Sequence, residues 1–265
     1  MRILLTNDDG IEAPGIRALH TALEGLGDVT TVAPHTVQSA TSHGVTFNDP
    51  LMRHRATMPD GSVGHAIDGR PADCVKVALR SLWAELHGEG TRPDITISGM
   101  NAGANVGINV IYSGTVAAAV ESAFLGVPSI AVSLHLGDRT RIHYDRAATI
   151  ARTVIDRILL QPLEPHAVIN VNVPRTESAD APMPDIAVCP MNTAPASDGY
   201  ERRSSPGGQD YYWPAGNGME FDHTHPETDV ESLIARKVTV TPLEFDLTDH
   251  PRIQTWRERL VEDGS

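Results

Sequence analysis

The chain has 265 residues, 40% of them hydrophobic, enough to bury a substantial core as one α/β unit, so length alone does not force independent domains. A formal net charge of -13 repels polyanions and disfavours DNA or RNA as partners, whereas a cation held in a site would still attract one small phosphate ester. Cys74 and Cys189 are expected unpaired and buried, and the absence of a charged leader or a long apolar segment before Arg2-Ile3-Leu4-Leu5-Thr6 predicts a cytoplasmic chain with no membrane partner.

Ile3 to Thr6 is an apolar run that stops at Asn7-Asp8-Asp9-Gly10, as a buried strand does when it delivers its carboxyl end to a loop. A helix follows, with Pro14 in its first turn, Ile16, Leu19, Leu23 and Leu26 at helical spacing, and Gly25 and Gly27 as its stop. Val29 to Ala33 is a second strand. Further on, Pro71 to Leu86 reads as a helix, Ile95 to Ser98 as a strand, Thr115 to Leu125 as a helix, Ile130 to Leu134 as a strand, Tyr144 to Leu160 as a helix and Val168 to Val173 as a strand. This alternation predicts a doubly wound α/β core with a mostly parallel sheet over residues 1–175.

Beyond Pro174 the prolines, glycines and the Tyr211-Tyr212-Trp213 cluster predict hairpins and long loops, then a late strand at Val238 to Thr241 and a terminal helix at Ile253 to Val261 with Trp256 on its apolar side. Residues 176–265 are read as an arm of the same functional domain, docking on a second subunit or closing over the site.

Ligands of open α/β sheets bind outside the carboxyl ends of the strands. Three polar clusters fall there: Asp8-Asp9, the loop through Pro34 to Ser39, and Gly99-Met100-Asn101-Ala102-Gly103-Ala104-Asn105. Adjacent carboxylates repel unless a cation lies beside them, and Mg2+ or Mn2+ prefers carboxylate, amide and hydroxyl oxygens, so Asp8, Asp9, Ser39 and Asn101 form a candidate metal-ligand set. An isolated Asp-Asp-Gly makes a turn and caps a helix; its place at a strand end and the company of Ser39 and Asn101 raise it to a candidate centre.

The glycine-spaced loop with Asn105, followed by Ser113-Gly114-Thr115 at a helix start, offers backbone N–H groups and a helix dipole to a phosphate, without the Gly-Lys-Ser/Thr of a Walker loop. Together these groups suit phosphomonoester hydrolysis by metal-activated water, with Asp8 or Asp9 as base, or by an aspartyl-phosphate route; the sequence leaves both open. His43 is a minor candidate for substrate contact, and His223-Thr224-His225 is read as structural.

Leu5-Thr6-Asn7-Asp8-Asp9-Gly10 with Ala13-Pro14-Gly15-Ile16, Val32-Ala33-Pro34 leading to Ser39, Ser98 to Asn105, Tyr112-Ser113-Gly114-Thr115 and the late Thr239-Val240-Thr241-Pro242-Leu243 resemble, in order and spacing, the SurE family of stationary-phase survival proteins. The resemblance implies a Rossmann-like fold and a metal-dependent 5'- and 3'-nucleotidase with one divalent cation on Asp8, Asp9, Ser39 and Asn101. It also implies a homodimer or homotetramer built by exchange of carboxyl-terminal elements, and a secondary activity on short polyphosphate. His35, Asn109 and Arg236-Lys237 depart from the family pattern without removing a proposed ligand. A signalling receiver, the main rival that also carries paired acids after its first strand, would need an Asp where Ile95 to Ser98 ends and a later Lys, and neither is present. A non-catalytic nucleotide-binding protein is the other rival, opposed by the intact ligand set.

Overall fold

The computed structural model describes residues 1–138, 140–197, 199–216 and 218–261. Arg2–Thr6 (β1), Asp28–Pro34 (β2), Ile95–Ala102 (β5), Ser129–Leu134 (β6) and Val168–Val173 (β7) form the parallel centre of a nine-stranded sheet. Around them lie Arg53–Thr57 (β3), Val63–Ile67 (β4), Ile186–Val188 (β8) and Val238–Leu243 (β11), giving the order β3-β4-β2-β1-β5-β6-β7-β11-β8. β3 pairs antiparallel with β4, and β11 antiparallel with β7; the rest are parallel.

The unbroken apolar run of β1 is explained by coverage on both faces. Ile3 and Leu5 pack with Ile16 and Leu19 of α1 (Pro14–Ala22) and Ile150 and Val154 of α6 (Tyr144–Ile158). Leu4 points the other way, against Val32, Cys74 and Trp83, where α2 (Pro71–Val77) runs on through a π-helical stretch at Ala78–Leu82 into α3 (Trp83–His87). The single helix expected from Pro71 is thus one continuous run with a π turn inside it. Beside α2 lies α5 (Gly114–Phe124), preceded by the one-turn α4 (Asn109–Tyr112).

β1 pairs with β2 on one side and β5 on the other, so strand order reverses between β1 and β5. That reversal opens a crevice at the carboxyl ends of these two strands. β5 extends past its expected end: it continues through Ala102, with an irregular register against β6 between Ser98 and Asn101 and a cis Gly99–Met100 peptide. Gly99 has φ +145, and a Cβ there would lie 2.3 Å from the carbonyl oxygen of Val132. Only glycine fits.

Of the segment beyond residue 175, β8, β11 and α7 (Asp229–Ile234) join the main sheet or pack on it. Gly199–Ser204 (β9) and Asp210–Ala215 (β10) form a separate antiparallel ribbon, every residue of which is exposed, and α8 (His250–Val261) ends the described chain. Both cysteines are free and buried, as expected. No helix among the described residues is long and apolar enough to cross a membrane.

Candidate active site

The crevice is a cleft of ≈ 580 Å³, within the range of about 300–1,000 Å³ typical of small-ligand sites. Asp8, Asp9, Ser39, Asn101, Asn105 and Ser113 all line it. The residues singled out from three strand ends and one helix start therefore meet on one surface.

Asp8 is buried, with 5% exposure, and its carboxylate is fixed from behind. Thr115 Oγ1 donates to Asp8 Oδ1 at 2.5 Å and the Thr115 N–H donates to Asp8 Oδ2 at 3.1 Å. Burial pushes the Asp8 carboxyl up to about 6; the Thr115 hydrogen bond opposes this shift and the neighbouring charge of Asp9 adds to it. Asp9 is half-buried, and burial raises its carboxyl above the ordinary range against a 2.8 Å hydrogen bond from the Ala102 N–H to Oδ2. Two crowded acids, both disfavoured as anions by their surroundings, are a pair whose charge a cation would stabilise.

Asn101 Nδ2 donates to the Gly103 carbonyl at 2.7 Å, which leaves its carbonyl oxygen as the atom to offer a ligand. Ser39 is exposed, and its loop is tied down: Gln38 N–H donates to the Asp8 carbonyl at 2.8 Å, and Ser42 reaches the carbonyls of Ile111 and Tyr112 at 2.8 and 3.1 Å. With two carboxylates, an amide oxygen and a hydroxyl, the donor set is all oxygen and fits a hard dication of the Mg2+ or Mn2+ type.

Asn105 is held at every backbone polar group. Its N–H donates to Asn172 Oδ1 at 2.8 Å, its carbonyl accepts from Asn170 and Asn172 at 2.8 and 3.1 Å, and its side-chain amide donates to Ser133 at 2.8 Å. Ser113 is the N-cap of α5, accepting from the Val116 N–H at 3.1 Å. Gly114 and Thr115, which the sequence reading set beside a phosphate, lie behind Asp8 and do not line the cleft; both donors of Thr115 go to Asp8. Gly114 is needed for this closeness, since a Cβ would come 2.9 Å from Asp8 Cβ and 3.0 Å from its Oδ2.

Deeper in the loop, Asp229 is fully buried and accepts from the N–H groups of Gly107, Asn192 and Val230, each at 2.8 Å, tying the glycine-spaced loop to α7. His43 lies outside the cleft lining, with Nε2 paired to Glu121 Oε2 at 2.7 Å. The His223 and His225 rings meet edge-on at 5.0 Å and are not part of the cleft lining.

The sequence reading missed His135 and Arg175, which also line the cleft. Both lie just past strand ends, β6 and β7, so the rule that found Asp8 and Asn101 also points to them. Burial lowers the His135 imidazole to about 4, helped by the positive charges of Arg175 and Arg236, which keeps the ring neutral at pH 7. Tyr112, exposed at the rim, and Asn109, whose Nδ2 donates to the Gly218 carbonyl at 2.5 Å, complete the wall with Met219.

Residues 3–198 match the family model described as survival protein SurE. The chain is 46% identical over 252 residues to the 5'-nucleotidase SurE of Rhodopirellula baltica, with 94% of each chain covered. It is 38% identical over 266 residues to the 5'-nucleotidase SurE of Carboxydothermus hydrogenoformans, covering 98% of this chain and 97% of the relative. Its fold is similar to the crystal structure of the SurE protein from Aquifex aeolicus, with a TM-score of 0.81, 32% identity, and 98% and 99% of the two chains covered. The nine-stranded, mostly parallel sheet, the family match across most of the chain and these near full-length relatives lead to one conclusion: the chain belongs to the SurE family.

Proposed function

We propose that this chain is a 5'-nucleotidase, a phosphoric monoester hydrolase that converts nucleoside monophosphates to nucleoside and phosphate with the help of one divalent cation. The observation that carries the proposal is the meeting of Asp8, Asp9, Ser39 and Asn101 in one cleft at the β1/β5 reversal. The names of the relatives at 46% and 38% identity support the reaction class.

In this reading Asp8, Asp9, Ser39 and Asn101 would hold the cation, which when bound would offset phosphate charge and lower the pKa of water. Thr115 acts through Asp8, fixing both of its carboxylate oxygens in place. The phosphate lies between the acids and the start of α5, against Asn105 and Ser113. Asp9 is the better placed of the two acids to take a proton, since only one of its oxygens accepts a hydrogen bond, from Ala102, whereas both oxygens of Asp8 accept from Thr115. Arg175 and neutral His135, which share the cleft, are available to the ester, and the exposed ring of Tyr112 offers a stacking surface to a base. The reading extends to 3'-monophosphates and the ends of short polyphosphate, which present a terminal phosphate of the same charge to the same groups.

The exposed ribbon, with Tyr200, Tyr211, Tyr212 and Trp213, and α8, with exposed Trp256 and Leu260, support assembly as a homodimer or homotetramer by exchange of these elements. The net charge supports a small anionic substrate over a polymer.

The test is phosphate release by purified protein from several 5'- and 3'-monophosphates, with Mn2+, with Mg2+ and after chelation. Cation-dependent release that Asp8→Asn abolishes while the chain stays folded is the expected result. No release from any monophosphate, with any of these additions, overturns the reading.

A further inference from the structure

A second group of ligating side chains lies outside the cleft. His35 follows β2, His54 lies within β3 and Asp68 follows β4, and none of the three lines the cleft. Strand register explains why they meet. Pro34 pairs with Ile67, so His35 falls beside Asp68; His54 pairs with Ala66, two residues before Asp68 and hence on the same face. Backbone bonds hold the register at this end of the strands, from His35 N–H to the Ile67 carbonyl at 2.8 Å and from Asp68 N–H to the Met52 carbonyl at 2.9 Å.

The Asp68 carboxylate bridges the two imidazoles. Oδ1 lies 2.8 Å from His35 Nδ1, and Oδ2 lies 2.9 Å from His54 Nε2, while the rings sit 4.5 Å apart at 30°. Each residue offers one ligand atom, and these atoms lie within 4.8 Å of one another; no other such group of three or more His, Cys, Asp or Glu occurs among the described residues. All three side chains are exposed, so an ion reaches them directly from solvent.

We propose that His35, His54 and Asp68 form a second cation site, selective for a borderline first-row divalent ion such as Zn2+, Co2+ or Ni2+. The two sites differ in chemistry: the cleft presents oxygen donors, suited to Mg2+ or Mn2+, whereas two imidazole nitrogens favour Zn2+, Co2+ or Ni2+. Tetrahedral coordination at about 2.0–2.1 Å places ligand atoms roughly 3.3 Å apart, so the two carboxylate–imidazole contacts open by about half an ångström while the imidazoles draw together. On binding, the nitrogens facing Asp68 give lone pairs to the ion, each ring keeps its proton on the other nitrogen, any further ring proton is released to solvent, and water takes the remaining position. The ion would clamp β3 and β4 to the start of the loop that runs from His35 to Ser39.

Untagged full-length protein titrated with Co2+ and followed by visible absorption tests this. The expected result is a nitrogen-ligated ion, displaced by Zn2+, in both the native chain and Asp8→Asn, with affinity reduced at least about tenfold in His54→Gln and in His35→Gln. Zn2+ should also raise the melting temperature of the native chain and not that of His54→Gln. The proposal is overturned if His54→Gln binds Co2+ with native affinity and spectrum, if Asp8→Asn or His223→Gln removes the signal instead, or if millimolar Co2+ gives no nitrogen-ligated species.

Discussion

Asp8 and Thr115, 107 residues apart, are joined twice: hydroxyl to one carboxylate oxygen, peptide N–H to the other. The pair locks the end of β1 to the start of α5 and fixes in place an acid whose ionised form burial disfavours. Thr115→Val removes the hydroxyl without changing shape. Divalent-cation affinity is expected to fall about 10–100-fold, with turnover falling alongside it, while Thr115→Ser retains most of both. Calorimetric Mn2+ titration and phosphate release measure the two effects; native Mn2+ affinity in the valine variant would refute the link.

The raised carboxyl of Asp8 gives cation binding a pH signature. A carboxyl that ionises at about 6 must lose its proton before it ligates, so affinity is expected to decline by about tenfold per pH unit once pH falls below about 6. Proton release on Mn2+ addition in weakly buffered solution should rise over the same interval. Flat affinity from pH 7 to pH 5 would contradict the assignment.

Gly114→Ala is expected to be far more harmful than its size suggests. The added Cβ would sit 2.9 Å from Asp8 Cβ and 3.0 Å from Pro71 Cγ, so Asp8 must move, at a stability cost of about 1–3 kcal/mol together with most of the activity. Gly199→Ala, where nothing lies within 4 Å, is the control and should change neither. Urea unfolding and initial rates on both variants decide it.

His135 ties stability to acid. Its imidazole ionises at about 4 in the folded chain against 6.5 when free, so the unfolded chain binds more protons between these values. The contribution is intact above about pH 6.5 and is lost as pH falls toward about 4, with a slope of at most about 1.4 kcal/mol per unit from this one ring. His135→Gln should flatten that part of the stability curve. An unchanged slope in chemical denaturation from pH 7 to pH 4 would show that the ring is accessible to protons in the folded state.

Deletion of everything after Asp249 is expected to yield monomers or aggregates, because Trp256 and Leu260 of α8 are exposed in the single chain. Size-exclusion chromatography with light scattering reads the result, and an unchanged oligomer would contradict it.

The elements legible in the sequence are those whose faces are covered. β1, β2, β5, β6 and β7 carry apolar runs because helices cover both faces of the sheet, and α1, α5 and α6 carry apolar positions at helical spacing because each packs on it. β3 and β4 escaped notice for the opposite reason. Arg53-His54-Arg55 is an edge strand whose charges discourage further pairing, and Val63-Gly64-His65 breaks the apolar pattern beside it. α7 has one turn to spare and β8 three residues, too little for a period to show. Within the site, the acids and Asn101 announced themselves as clusters, whereas His135 and Arg175 are single residues whose meaning depends on strand order. Asp229 is legible only in three dimensions, where it collects the backbone N–H groups of Gly107 and Asn192 from distant segments as well as that of its neighbour Val230.

The cleft is lined by residues from Asp8 to Met219, contributed by the end of β5 and by the segments that follow β1, β2, β5, β6, β7 and β10. No short stretch of the chain contains it, so no partly unfolded form that has lost the central strands can hold a ligand there. Occupancy should therefore slow amide hydrogen exchange in the central strands together, and leave the exposed ribbon of β9 and β10 exchanging as before.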